Sequence, residues 1–114
     1  MGLPSFILKD NQDVCAWRAT LLSRGYEIGL ASPPPEFNPL AVTESGVERH
    51  PHTAYIIKTP DAEISVIEAL PHMIEGERRL GRLVFLPPKP DMKSRLLQRK
   101  IIGELIEAGL TGEQ

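Results

Sequence analysis

Residues 5–31 read Ser5-Phe6-Ile7-Leu8-Lys9-Asp10-Asn11-Gln12-Asp13-Val14-Cys15-Ala16-Trp17-Arg18-Ala19-Thr20-Leu21-Leu22-Ser23-Arg24-Gly25-Tyr26-Glu27-Ile28-Gly29-Leu30-Ala31, and this stretch decides the fold. Its opening residues, Ser5 to Lys9 around the apolar Phe6-Ile7-Leu8, predict a short strand. Asp10 or Asn11 then offers a helix N-cap, and Asp13 sits where a carboxylate meets the positive end of a helix. Val14, Trp17, Leu21 and Leu22 recur on one helical face, with Arg18 and Arg24 on the other side. Gly25 is the residue type that ends a helix in a left-handed conformation. Positions 26–31 alternate and predict a second strand, so the unit is strand–helix–strand.

Outward from that unit, Ser32 and the prolines at 33, 34, 35 and 39 exclude a helix or a central strand, because proline removes backbone donors. Residues 32–52 are accordingly expected as a proline-rich loop running partly as extended polyproline. Such length in a compact domain implies either function or mobility. Residues 53–59 and 63–70 predict a hairpin about the turn Pro60-Asp61-Ala62, ended by Pro71. Residues 72–80 fit a helical turn or a polar loop equally. Residues 82–86 form a further strand before Pro87-Pro88-Lys89-Pro90. Asp91 caps a final helix over 92–108 with the stripe Leu97, Ile101, Leu105 and Ala108. Gly109 ends that helix, and 110–114 is expected to be a frayed tail.

The order β-α-β-loop-β-β-β-α predicts one α+β domain over 1–114: a two-layer sandwich with a mixed sheet of about five strands and both helices on one face. The 114 residues suit one core, and 41% hydrophobic with 25% charged residues excludes wholesale disorder. No apolar run is long enough to span a bilayer, so no membrane partner is expected. The first residues lack the basic flank and long apolar core of a secretory signal. A single cysteine, Cys15, fits a reducing, cytoplasmic setting and is expected to pack as a small buried hydrophobe.

Charge is the unusual feature. Residues 1–77 carry five basic and eleven acidic side chains, whereas 78–100 carry eight basic ones against Asp91 alone. Cations also crowd the first half of the last helix, against its dipole, at a cost of a few tenths of a kcal/mol each, about the usual size. Segregation of this kind suits an acidic partner, and Arg78, Arg79, Arg82, Lys93, Arg95 and Arg99 are the residues expected to contact it. A phosphate backbone is the less favoured partner, because the chain is not basic overall and offers only Phe85 near the cluster for stacking. Leu96, Ile102 and Ile106 broaden the apolar stripe of the last helix and offer a route to a homodimer.

Catalytic constellations are sparse. His50, His52 and His72, joined by Glu48, Glu68 or Glu75, form the one ligand-like set and the basis of an alternative reading as a metal-dependent or small-molecule-binding enzyme. Their spacing matches no zinc motif. Glu63 and Glu68 have opposite parity on a strand, which argues against a carboxylate pair. Pro60-Asp61 lacks the later acid and lysine of a metal-dependent nuclease. The glycines form no phosphate loop, and no serine has nucleophile-elbow context. The proline tracts read as loop stiffeners ahead of partner motifs. The expected function is therefore a small non-enzymatic binding or regulatory module for an acidic protein, working without a cofactor.

Overall fold

The computed structural model describes residues 3–32, 40–43, 46–49 and 52–113. In chain order these form β1 (Ser5–Leu8), α1 (Asn11–Ser23), β2 (Glu27–Ala31), β3 (Leu40–Thr43), β4 (Gly46–Arg49), β5 (His52–Lys58), β6 (Glu63–Ala69), β7 (His72–Ile74), β8 (Glu77–Arg79), β9 (Gly81–Phe85), α2 (Met92–Glu107) and β10 (Thr111–Glu113). The class is α+β. No helix among the described residues is long and apolar enough to cross a membrane.

Both helices begin and end where their sequences dictate. The Asp10 carboxylate accepts the Asp13 N–H at 3.1 Å, which satisfies an orphan donor at the start of α1, and the Asp13 carboxylate accepts the Lys9 N–H at 2.8 Å just ahead of the cap. Asp91 accepts both the backbone N–H (2.8 Å) and the hydroxyl (3.1 Å) of Ser94. The backbone bond holds its carboxyl below the ordinary value. At the other ends, Gly25 (φ +90°) and Gly109 (φ +95°) take the left-handed conformation. Gly25 donates to Leu22 and Tyr26 to Leu21, while Gly109 donates to Ile106 and Leu110 to Leu105. This is the paired bonding of a Schellman stop, with buried Tyr26 and Leu110 tucked beneath.

One core holds the layers together. Val14, Trp17 and Leu21 of α1 and Leu97, Ile101 and Leu105 of α2 pack on Phe6, Leu8, Ile57, Ile64, Val66, Leu83 and Phe85, which puts both helices on one sheet face. On the opposite face Ala54, Ile67 and Leu86 form a smaller cluster with Leu3 and Ala31. Apolar residues on both faces of β6 explain why its pattern is not a strict alternation.

The strand arrangement differs from expectation in three ways. It has six strands in the order β10-β1-β9-β6-β5-β2, and every pairing in it is antiparallel. The order of elements predicts a mixed sheet; instead β9, β6 and β5 lie between β1 and β2. The tail expected to fray adds β10, with Ile7 opposite Thr111 and Ser5 opposite Glu113. The stretch expected as a loop over 32–52 contains the β3–β4 hairpin, while the polyproline reading of 33–39 falls outside the described residues.

Residues 72–80, ambiguous in sequence, form the β7–β8 hairpin about Glu75 (φ +50°) and Gly76 (φ +80°). Two left-handed residues in succession make the turn that matches strand twist. Cys15, expected to be buried, is exposed. The buried stripe of α1 is Val14, Trp17 and Leu21, and Cys15 falls about 100° beyond Val14 on the helix. Leu22 leaves the stripe for the same reason and is 55% exposed.

Where α1 leads into β2, the buried Tyr26 hydroxyl donates to Glu104 at 2.6 Å, and Arg24 lies 3.4 Å from the other Glu104 oxygen. Burial first, then the bond to and charge of Glu104, push the phenol from 10.0 up to about 12. The raised value favours the neutral phenol in the folded state. Its contribution is complete below pH 10 and fades as pH rises through about 12. Urea unfolding midpoints should therefore fall between those pH values in the native protein, and the Tyr26→Phe variant should show a flatter profile there. At neutral pH that variant should lose about 1 kcal/mol, the usual size of one hydrogen bond.

Candidate functional site

The hairpin formed by β6 and β9 does not end with its ladder. Pro71 lacks a backbone N–H and stops β6, after which the two chains continue as β7 and β8. At the joint, a Cβ on Gly81 would lie 2.7 Å from the Pro71 nitrogen and 2.8 Å from its Cδ, and would also strike the Ala69 carbonyl. Only glycine lets the strands approach this closely. The extension carries His72, Met73, Arg78 and Arg79, with Leu80 and Arg82 following.

These residues border a groove of about 370 Å³, lined by Arg78, Arg79 and Arg82, by His72, and by the aliphatic side chains of Ile7, Leu70 and Leu80. Arg78 donates to the Lys9 carbonyl at 2.6 Å, which ties the extension to the end of β1. That bond engages one of the guanidinium's five N–H groups. Arg79 lies 3.6 Å from Glu77, and both side chains are more than half exposed, so the pair is worth little and yields readily to a ligand. The His72 Nδ1 lies 3.1 Å from the Leu70 carbonyl, which fixes the ring at the groove wall.

The remaining residues expected at the site lie elsewhere. Arg82 pairs across with Ala69 at one end of β6, whereas the Lys93 ammonium is 4.0 Å from Asp61 in the turn before the other end. Seven residues of strand separate those ends by about 20 Å. Lys93 lines a larger groove, about 610 Å³, with Lys58, Lys89, Asp61, Glu63 and Asp91. Lys89 donates to Glu63 at 2.6 Å, a bond that holds the Glu63 carboxyl below and the Lys89 ammonium above their ordinary values. With cations and carboxylates balanced, this groove selects no sign of charge. Arg95 and Arg99 are exposed one turn apart on α2, and Lys100 lies 6.0 Å over the Tyr26 ring. The structure thus puts Arg78, Arg79 and Arg82 on one groove, whose lining does not include Lys93, Arg95 or Arg99. On α2, Leu96 and Ile106 are more than half exposed, whereas Ile102 packs against the core.

Of the histidines, His52 pairs with Ala69 and His72 with Arg79 in register, and His50 lies outside the described residues. No group of three His, Cys, Asp or Glu side chains among the described residues could hold a metal ion.

One charged cluster was not anticipated. Glu68 is 1% exposed and accepts bonds from the Trp17 indole N–H at 2.7 Å and from the Arg18 guanidinium. Arg18 lies over the Trp17 ring at 5.7 Å and the Tyr55 ring at 5.2 Å. Burial opposes its charge, but the bond to and charge of Glu68 outweigh that and hold the guanidinium above its ordinary value. Parity was the available signal, since Glu68 shares the buried face of Ile64 and Val66. Both carboxylate oxygens are engaged by α1, so the cluster fastens helix to sheet. Comparison with protein families, with characterised proteins and with solved structures finds no match for this chain.

Proposed function

We propose that this chain is a small non-enzymatic binding module that recognises an acidic protein segment through Arg78, Arg79 and Arg82. The observation that supports it is that three arginines and a histidine line one open groove at the hairpin extension. Guanidinium forks match carboxylates in two-point geometry, and an exposed groove admits a chain segment. Lys93, Arg95 and Arg99 contribute a more distant positive field that steers encounter without touching the seated segment. A regulatory role in a reducing, cytoplasmic setting accords with the lone, exposed Cys15.

The test is fluorescence anisotropy with a labelled glutamate decapeptide. Removing two charged contacts of about 1 kcal/mol each should weaken binding ten- to thirtyfold in the Arg78→Ser, Arg79→Ser variant. The Arg95→Ser, Arg99→Ser variant should lose less than about threefold, and both effects should shrink between about 50 and 500 mM salt. Equal losses in the two variants, or an affinity indifferent to salt, would overturn the reading.

A further inference from the structure

We infer that the segment seated in this groove is amphipathic: an extended peptide of the form acid-x-aliphatic-x-acid. The inference rests on the arginine-groove reading and adds the apolar half of the ligand. Arg78, Leu80 and Arg82 occupy alternate positions in one run of chain, and all three line the same groove. Alternate residues of extended chain repeat at about 7 Å, so this run presents cation, aliphatic, cation at that interval, with Arg79 a further cation on the wall. An extended peptide presents its own alternate side chains at the same interval. Charge complementarity then fixes carboxylates at its first and third contact positions and an aliphatic group between them.

The surroundings of Leu80 support an apolar contact. Its side chain is 54% exposed beside Ile7 and Leu70 on the groove wall. Across β7–β8, Met73 is the register partner of Arg78 and is 63% exposed, so the hairpin extension carries a second exposed apolar side chain. No Phe, Tyr or Trp lines the groove, and His72 is its one aromatic ring, which is a poor match to the row of stacking platforms that single-stranded nucleic acid uses. Cations backed by aliphatic side chains suit a peptide better than a phosphate backbone.

The experiment compares two labelled heptapeptides of equal charge, Glu-Glu-Ser-Leu-Ser-Glu-Glu and Glu-Glu-Ser-Ser-Ser-Glu-Glu, with an oligothymidylate of matched charge as a third probe. Burying part of one leucine should make the leucine peptide bind about five- to tenfold more tightly than the serine peptide. That ratio should hold at high salt while both affinities fall. Leu80→Ser, at a half-exposed position, should bring the ratio to about one by weakening leucine-peptide binding about five- to tenfold. Equal, salt-sensitive binding of the two peptides to the native protein overturns this inference and leaves the arginine groove standing. Tighter binding of the oligothymidylate also overturns it. Failure of both peptides to bind overturns the parent reading and this one with it.

Discussion

The Glu68→Ala variant is expected to lose about 3–5 kcal/mol of stability, because truncation breaks a buried charge pair and strands a buried donor. Trp17 has no exposed surface, so its indole N–H would be left without an acceptor and without water, next to the space vacated by the carboxylate. Arg18 is 37% exposed and can partly rehydrate, which sets the loss toward the lower part of that range. Glu68→Gln retains an oxygen for the indole and should lose roughly half as much. Arg18→Ala leaves a carboxylate that is 1% exposed with the indole alone as its donor, and should cost as much as Glu68→Ala. Replacing the pair together, as Arg18→Met with Glu68→Leu, should recover part of the loss, since apolar packing takes the place of two desolvated charges while the Trp17 indole N–H still lacks its acceptor. Urea unfolding of the four variants measures this order. A native-like midpoint for Glu68→Ala would mean that the cluster does not fasten α1 to the sheet.

Gly81→Ala should produce the second large effect. The added methyl meets backbone of Ala69 and Pro71, which cannot swing aside as a side-chain tip would. Overpacking of that kind costs about 1–3 kcal/mol, and the strands must shift apart to relieve it. Gly81 lies between Leu80 and Arg82, so the shift also displaces two residues of the groove wall. Stability and glutamate-peptide affinity should therefore fall together, although no charge has changed. Gly76→Ala is the contrast: it meets nothing within 4 Å, and only its φ of +80° is strained. It should cost about 1 kcal/mol and leave affinity within about twofold.

These expectations depend on features the sequence revealed unequally. Asp10, Gly25, Asp91 and Gly109 announce helix ends because capping is chemistry between near neighbours, and they placed α1 and α2 correctly. Strand neighbours are a different matter. Phe6 pairs with Leu83 on one side and Gly112 on the other, and nothing local to Phe6 encodes either partner. The order of elements along the chain predicts a mixed sheet, whereas three strands separate β1 from β2 and every pairing in the sheet is antiparallel. The β7–β8 hairpin escaped because its strands are three residues each and its turn is Glu75-Gly76 in place of an asparagine-led pair. For the candidate site, the arginines at 78, 79 and 82 were legible as a run. Their separation from Lys93, Arg95 and Arg99 was not. Counting charge along the chain does not register that β9 and the segment after it carry α2 away from the hairpin extension.

The claim that Arg78, Arg79 and Arg82 form the acid-recognising surface is tested most directly by backbone amide chemical-shift mapping of the isotope-labelled protein titrated with the glutamate decapeptide. Saturable shifts should concentrate at residues 70–82 and 7–11, with 93–99 unmoved. Shifts centred on 93–99, or spread evenly over every cationic segment, would contradict it.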